Sequence, residues 1–343
     1  QKEAAVLSRM ILKYEKPKHH TFCGGKTEDV ILLCNRNNRQ ITARQIQTGE
    51  VSMLAGGVRI QGADLQEIAK IRTWQELLFP LHGKVEREYT AEAAAQTVWN
   101  TEVMELLQSL HEEKGEFLFR IEYKGSLDER KKSEFVKKTA SLLEEKSERM
   151  LINSISDYEI EIRIVESKKG GYLPFLRLYT MEDERFAYRK ESIAASIAPV
   201  NAALIMQIAG DHLKENAQVL DPFCGVGTML IERDIRVPAR EKYGIDIFGE
   251  AIRGARENAS YAGEKINFIN RDYFDFTHAY LFDEIITNMP VRGRKSKEET
   301  DAFYSRFFEK SAGLLKADGI LVLYSNEQGF IRKQLRIRND YRL

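Results

Sequence analysis

The residues best suited to chemistry lie in the second half of this 343-residue chain. Val219-Leu220-Asp221-Pro222-Phe223-Cys224-Gly225-Val226-Gly227-Thr228 reads as a short apolar strand, a glycine loop and a helix starting near Met229. Two glycines one residue apart let backbone approach a ligand where a Cβ would block it. The acid at the strand end is placed to bind an ammonium group. Asp246 ends a second strand, where a carboxylate can accept both hydroxyls of a ribose. Asp272 follows a third, in Asn270-Arg271-Asp272-Tyr273, and could accept from an adenine amino group, with Ile247 and Tyr273 flanking the ring. Singly these signals are weak: a lone G-x-G is a common turn, and an Asp at a strand end is often only a helix cap. At successive strand ends, in order, they point to a site for an adenosyl ligand.

A dinucleotide site would need G-x-G-x-x-G to admit a pyrophosphate at the helix start. Here Leu230 holds the third glycine position, and Asp-Pro-Phe-Cys precedes the glycines. The run Asp-Pro-Phe-Cys-Gly-x-Gly-Thr, followed by Ile231-Glu232, resembles the first motif of S-adenosyl-L-methionine-dependent RNA methyltransferases. Gly244-Ile245-Asp246 with Ala251, Ala255, Arg256 and Asn258 resembles the segment that follows it. The resemblance implies that Asp221 meets the methionine amino group, Asp246 the ribose and Asp272 the adenine. Phe223, Gly225, Gly227, Thr228, Ile247, Tyr273 and Asn288 complete the cofactor site it implies.

After a fourth strand comes Thr287-Asn288-Met289-Pro290-Val291-Arg292-Gly293-Arg294. Its position matches the N-P-P-Y motif of amino-group methyltransferases, which RNA guanine members extend to N-P-P-Y-G-x-R. In that chemistry the Asn side-chain oxygen and a nearby backbone carbonyl accept hydrogen bonds from the substrate's amino group, aiming its lone pair and stabilising developing positive charge. The aromatic residue stacks on a base splayed out of its helix. Asn288, Pro290 and Arg294 fit, Asn288 and Pro290 as catalytic residues and Arg294, with the Val291 position, as substrate contacts. Met289 replaces the first proline, Val291 the aromatic and Arg292 the glycine. Val291 cannot stack as a ring does, and stacking is worth roughly 1–3 kcal/mol per base.

These residues need elements to hold them. From about residue 186, strand and helix alternate: Pro199 opens a helix, and five apolar strands follow at Val219 to Phe223, Tyr243 to Ile247, Ile266 to Ile269, Glu284 to Thr287 and Ile320 to Tyr324. This predicts an α/β Rossmann-like domain with a mostly parallel sheet, whose ligands sit beyond the strands' carboxyl ends. Such a sheet usually continues into an antiparallel hairpin, so a terminal strand is expected to be incomplete or to lie past Leu343. A start before Gln1 is expected too.

Two further regions precede it, residues 1–88 and 89–185, both α+β. In the first, Ile41 to Ile46 and Val51 to Ile60 read as strands, the latter broken at Gly56-Gly57. Leu65, Ile68, Ile71 and Leu78 predict one helix ended by Pro80. His19-His20 with Cys23 lacks a second cluster of metal-ligand spacing, so a surface segment is expected and no metal. In the second, Phe117 to Tyr123 and Ile160 to Ile164 alternate as strands, Ser133 to Lys146 reads as an amphipathic helix, and Phe175 to Tyr179 returns as a strand. Tyr123-Lys124-Gly125, the run Phe117 to Ser147, and Ser156-Asp157-Tyr158 before an alternating strand resemble a THUMP domain, an RNA-binding module. Ala69 to Thr73 leading to Leu78 resembles the ferredoxin-like domain that often precedes it. The Phe186-Ala187-Tyr188-Arg189 join and the Ala198 to Ala203 helix fit the same group. The implied family is the THUMP-containing RNA (guanine-N2)-methyltransferases, and the implied partner is RNA, tRNA favoured over rRNA. Lys124, Arg130, Lys131 and Lys132 are the phosphate contacts this suggests, ordinary helix and loop surface being the alternative.

Composition agrees. Charged residues make up 30% of the chain and the formal net charge is zero, which argues against non-specific coating of nucleic acid. No apolar run reaches the roughly 18 residues of a membrane span. Three cysteines give no disulfide framework, so the cytoplasm is expected. The leading expectation is methylation of a guanine amino group in RNA. The alternatives are an rRNA guanine methyltransferase, an RNA-binding protein that retains the cofactor pocket beside a degenerate motif, and methylation of adenine or of a protein amide. Oligomeric state is not legible.

Overall fold

The structure, a computed structural model, describes residues 20–23, 27–194 and 196–343. It divides into two compact units, Gln1–Glu182 and Asp183–Leu343.

In the first unit the elements run β1 (Thr27–Cys34), α1 (Arg39–Ala43), β2 (Glu50–Leu54), β3 (Gly57–Asp64), α2 (Leu65–Ile68), β4 (Trp74–Pro80), α3 (Ala91–Trp99), α4 (Val103–Leu110), β5 (Phe117–Lys124), α5 (Glu129–Lys146), β6 (Leu151–Asn153), β7 (Ile160–Glu166) and β8 (Tyr172–Leu178). The eight strands form one sheet in the order β2-β3-β1-β4-β8-β7-β5-β6. The expected boundary at residue 88 falls within this sheet, because β4 pairs with β8 through Phe79–Leu176 and Pro80–Phe175. Alternation in β5 buries Phe117, Phe119, Ile121 and Tyr123. Helix α5 starts where the Asp128 carboxylate accepts from Lys131 N–H, and it buries Phe135, Ala140 and Leu143.

Three local expectations need correction here. Ile41 to Ile46 is not a strand: α1 occupies Arg39–Ala43, started by a turn in which Asn38 N–H donates to Asn35 O, and Thr42 is buried with its hydroxyl 2.9 Å from that of Thr73. The stretch Leu65 to Leu78 is not one helix. Helix α2 has four residues, capped by Asp64, and Trp74–Pro80 pairs with β1 instead, so Pro80 ends a strand. Non-local pairing with β1 outweighs the helical spacing. His20 is no surface segment. It is buried, its Nδ1 lies 2.9 Å from Glu159, and its ring stacks on Phe117 at 3.8 Å. His19 lies outside the described residues.

In the second unit come α6 (Pro199–Ala209), β9 (Gln218–Asp221), α7 (Thr228–Arg236), β10 (Glu241–Asp246), α8 (Gly249–Tyr261), β11 (Asn267–Asn270), β12 (Phe282–Asn288), α9 (Lys297–Ala312), β13 (Leu315–Tyr324) and α10 (Gln328–Ile337). Five strands lie in the order β11-β10-β9-β12-β13, all parallel. One cluster, including Ala202, Met206, Leu230, Ile252 and Ala255, packs residues of α6, α7 and α8. A second, including Tyr304, Phe307 and Phe308, packs residues of α9. Helices on both faces are what a parallel sheet requires. A capping box between Ser296 and Glu299 starts α9 directly after the Asn288–Arg294 loop. No helix among the described residues is long and apolar enough to cross a membrane.

Candidate functional site

The chain order β9-β10-β11 brings Asp221, Asp246 and Asp272 to the carboxyl edge of one sheet, and all three line a cavity of about 440 Å³. The adjacent β12 adds Asn288, Met289, Pro290 and Val291 to the same wall.

The glycine loop forms the floor. Gly225 and Gly227 adopt φ of +52° and +82°, which favours glycine. A Cβ on Gly227 would press to 3.1 Å on the Phe268 ring, whereas one on Gly225 would meet nothing nearer than 4.0 Å, so the space over Gly225 is open. Asp246 braces the loop: its Oδ2 accepts from Gly225 N–H and its Oδ1 from Phe248 N–H, both at 2.9 Å.

Asp221 is the most unusual group. It is 1% exposed. Its Oδ1 accepts from the Thr287 hydroxyl at 2.6 Å and from Phe223 N–H at 3.1 Å. Its Oδ2 is buried with no hydrogen-bond partner, as is Thr228 Oγ1 at the start of α7. Burial, with the neighbouring Asp246 charge, pushes the Asp221 carboxyl up to about 7 against the hydrogen bonds from Thr287 and Phe223. Burial also raises the Cys224 thiol beside it, helped by Asp221 and Asp246. A buried carboxylate with an unpaired oxygen costs free energy that a cationic ligand would recover.

The adenine-side residues divide. Asp272 Oδ1 accepts from Phe274 N–H. Ile247 stands 61% exposed at the cavity. Tyr273 touches the cavity with a residue only 1% exposed, its ring packed against Phe223 and Phe307 and its hydroxyl 2.9 Å from Ser311 Oγ. Phe274, which the motifs do not include, also lines the cavity, with the Arg306 guanidinium 4.1 Å from its ring centre. Its position beside Asp272 at a strand end is the one signal the sequence offers for it. Thr287, which holds Asp221, carries no such signal, since the two meet only across the sheet.

In the Asn288 loop, the Met289 N–H donates to Tyr324 O at 2.9 Å, a bond that a proline there could not make. The Met289 side chain is buried in the core. The loop's first position is therefore tied to β13. Val291 is 66% exposed and Arg294 is exposed without lining the cavity. In the other unit, Lys124 pairs with Glu122, Arg130 with Glu134 and Lys131 with Asp128, the three cations all exposed. Lys132, beside them, is half-buried.

Residues 187–341 match the family described as "RMKL-like, methyltransferase domain". The chain is 26% identical over 153 residues to a tRNA (guanine(10)-N2)-dimethyltransferase of Methanothermobacter thermautotrophicus, covering 43% of this chain and 44% of that protein. It is 30% identical over 119 residues to the U6 snRNA (guanine-N(2))-methyltransferase THUMPD2 of Bos taurus, covering 34% and 23%. The matches thus span less than half the length of either curated relative. The crystal structure of TrmN from Thermus thermophilus superposes with a TM-score of 0.67 at 18% identity, over 89% of this chain and 91% of that one, a likeness of fold.

Proposed function

We propose, from the premise that residues 187–341 form an RMKL-like methyltransferase domain, that the chain transfers a methyl group from S-adenosyl-L-methionine to the exocyclic amino group of a guanine in RNA. The observation that carries the cofactor assignment is the buried, unpartnered Asp221 Oδ2 in the cavity wall. A ligand ammonium would satisfy it. Thr228, whose hydroxyl is also buried and unpaired, opens α7 and would take a ligand carboxylate together with the helix's first N–H groups. Asp246 would hold the ribose and Asp272 the adenine amino group, with Ile247 against the ring.

Bound there, the cofactor supplies an activated methyl group for in-line displacement. The protein's part is orientation. Asn288 and the backbone carbonyls after it would accept from the guanine amino group, aligning its lone pair and stabilising the charge that develops on nitrogen. The bond from Met289 N–H to Tyr324 O supplies loop rigidity that the missing proline would otherwise give.

The names of the two guanine-N2 relatives support a guanine amino group as acceptor. Within RNA, we favour tRNA over rRNA, with residues 89–185 as a THUMP-like module gripping it. We place the reaction in the cytoplasm, in keeping with three free cysteines. The test is transfer of labelled methyl groups to total tRNA and, separately, to rRNA, followed by nucleoside mass spectrometry. N2-methylguanosine is expected from tRNA. Asn288→Ala should lower transfer by at least about 100-fold while S-adenosylhomocysteine still binds. Labelled adenosine, or undiminished transfer by that variant, would refute the assignment.

A further inference from the structure

The sequence leaves the target base without its stacking partner, because Val291 is aliphatic where the motif carries a ring. A second cavity, of about 300 Å³, shares Asn288, Met289, Pro290 and Val291 with the first, so the catalytic loop is a wall common to both. The new cavity adds Tyr324, Asn201 and Glu327. Tyr324 ends β13, and its Cα partner in the parallel ladder is Asn288. Partnered residues of neighbouring strands point to the same face, with strands about 4.8 Å apart. The Tyr324 ring and the Asn288 side chain therefore leave the sheet side by side. Tyr324 is 40% exposed, so its ring is open to a ligand. Its carbonyl is fixed by Met289 N–H, the residue that stands in place of the proline.

We infer that this second cavity seats the target guanine, with Tyr324 as the stacking surface that Val291 cannot provide and Glu327 reading the base edge. The inference rests on the proposed function and names where its substrate sits. Two substitutions in the loop then become one arrangement: Met289 ties the loop to β13, and β13 returns the ring. Glu327 gives the site a preference. An ionised carboxylate only accepts hydrogen bonds. Guanine offers N1–H on its Watson–Crick edge, where adenine offers an acceptor. Asn201, on the first turn of α6, supplies both a donor and an acceptor to the same cavity. The base would thus lie with its amino group toward Asn288 and the methyl donor's cavity beyond it.

The test uses the full chain saturated with S-adenosylhomocysteine, titrated with guanosine 5′-monophosphate and adenosine 5′-monophosphate by ligand-observed NMR. The guanine nucleotide should bind more tightly. Tyr324→Phe should retain that affinity, and Tyr324→Leu, which keeps bulk without a ring, should lower it about fivefold or more. Glu327→Gln should bring the two nucleotides' affinities together. S-adenosylhomocysteine affinity, unchanged throughout, verifies that each variant is folded. Equal guanine-nucleotide affinity in Tyr324→Leu, or no binding to the unmodified chain, overturns the assignment. Methyl transfer to total tRNA, run in parallel, separates the two proposals. Transfer that is indifferent to Tyr324→Leu overturns the base seat and leaves the activity standing. Nucleotide binding that depends on Tyr324 without any transfer supports the seat and counts against the activity.

Discussion

Glu161 and Asp221 are both buried carboxylates, one in the sheet of the first unit and one at the end of β9, yet the chain treats them in opposite ways. Burial alone would raise Glu161, but hydrogen bonds and charge from Arg120 and Arg163 outweigh it and hold that carboxyl below the ordinary value. Arg120 contacts Glu161 Oε2 at 2.6 Å and Arg163 contacts Oε1 at 2.7 Å, so both oxygens are taken. Asp221 has one oxygen satisfied by Thr287 and Phe223, and the other has no partner. Each buried charge thus reveals its purpose by where its compensation comes from. Glu161 is complete within the chain, as a structural charge must be. Asp221 is incomplete within the chain, and in the proposed function the missing partner is the ligand's ammonium group.

Removing each acid should therefore give opposite results. Glu161→Ala strips two guanidiniums of a shared partner, and unfolding free energy from urea titration should fall by roughly 3–5 kcal/mol, while S-adenosylhomocysteine affinity stays the same. Asp221→Asn should do the reverse. It removes a strained charge, so the cofactor-free protein should gain stability at pH 8, by as much as about 4 kcal/mol, and S-adenosylhomocysteine affinity should drop. A loss of stability in Asp221→Asn would break the contrast, because it would make Asp221 a structural charge as well.

The sign of the pH dependence sharpens the same point. The folded-state value of Asp221, about 7, lies above the ordinary 3.8. Its contribution to stability is therefore fully present below about pH 4 and is lost as pH rises through 7. Ligand binding runs the other way, since an ammonium prefers the ionised carboxylate. S-adenosylhomocysteine affinity measured by calorimetry should rise about tenfold from pH 6 to pH 8, and Asp221→Asn should flatten the profile. A flat profile in the unmodified protein would separate Asp221 from the ligand.

The same division between local and non-local compensation governs what the sequence discloses. Asp221, Asp246 and Asp272 are legible because each follows its own apolar strand, and strand order alone brings them together. Thr287 and Tyr324 are not, because their roles arise from β9-β12 and β12-β13 pairing across many residues. In the first unit, the hairpin that turns at Ala55-Gly56 and helix α5 follow from turn chemistry and helical spacing. Trp74–Pro80 is hidden behind an apparent helix because its strand character comes from β1. The burial of His20 is hidden for a similar reason: Glu159 and Phe117, which enclose it, are far away in the chain.

Exposed pairs are where the contrast should weaken, and they carry the smallest expected effect. Lys124, Arg130 and Lys131 all have carboxylate partners, as Arg163 does, but their side chains are 56%, 89% and 70% exposed. Water screens such pairs to about 0–1 kcal/mol each, so a phosphate can replace the carboxylate at little cost. Pairing within the chain therefore marks a structural charge only when it is buried. The triple variant Lys124→Gln, Arg130→Gln, Lys131→Gln should leave stability nearly unchanged while lowering the slope of log affinity for tRNA against log salt, by about 0.7–0.9 for every phosphate left without its cation. An unchanged slope would assign these three cations to the solvated surface and remove them from the proposed RNA contact.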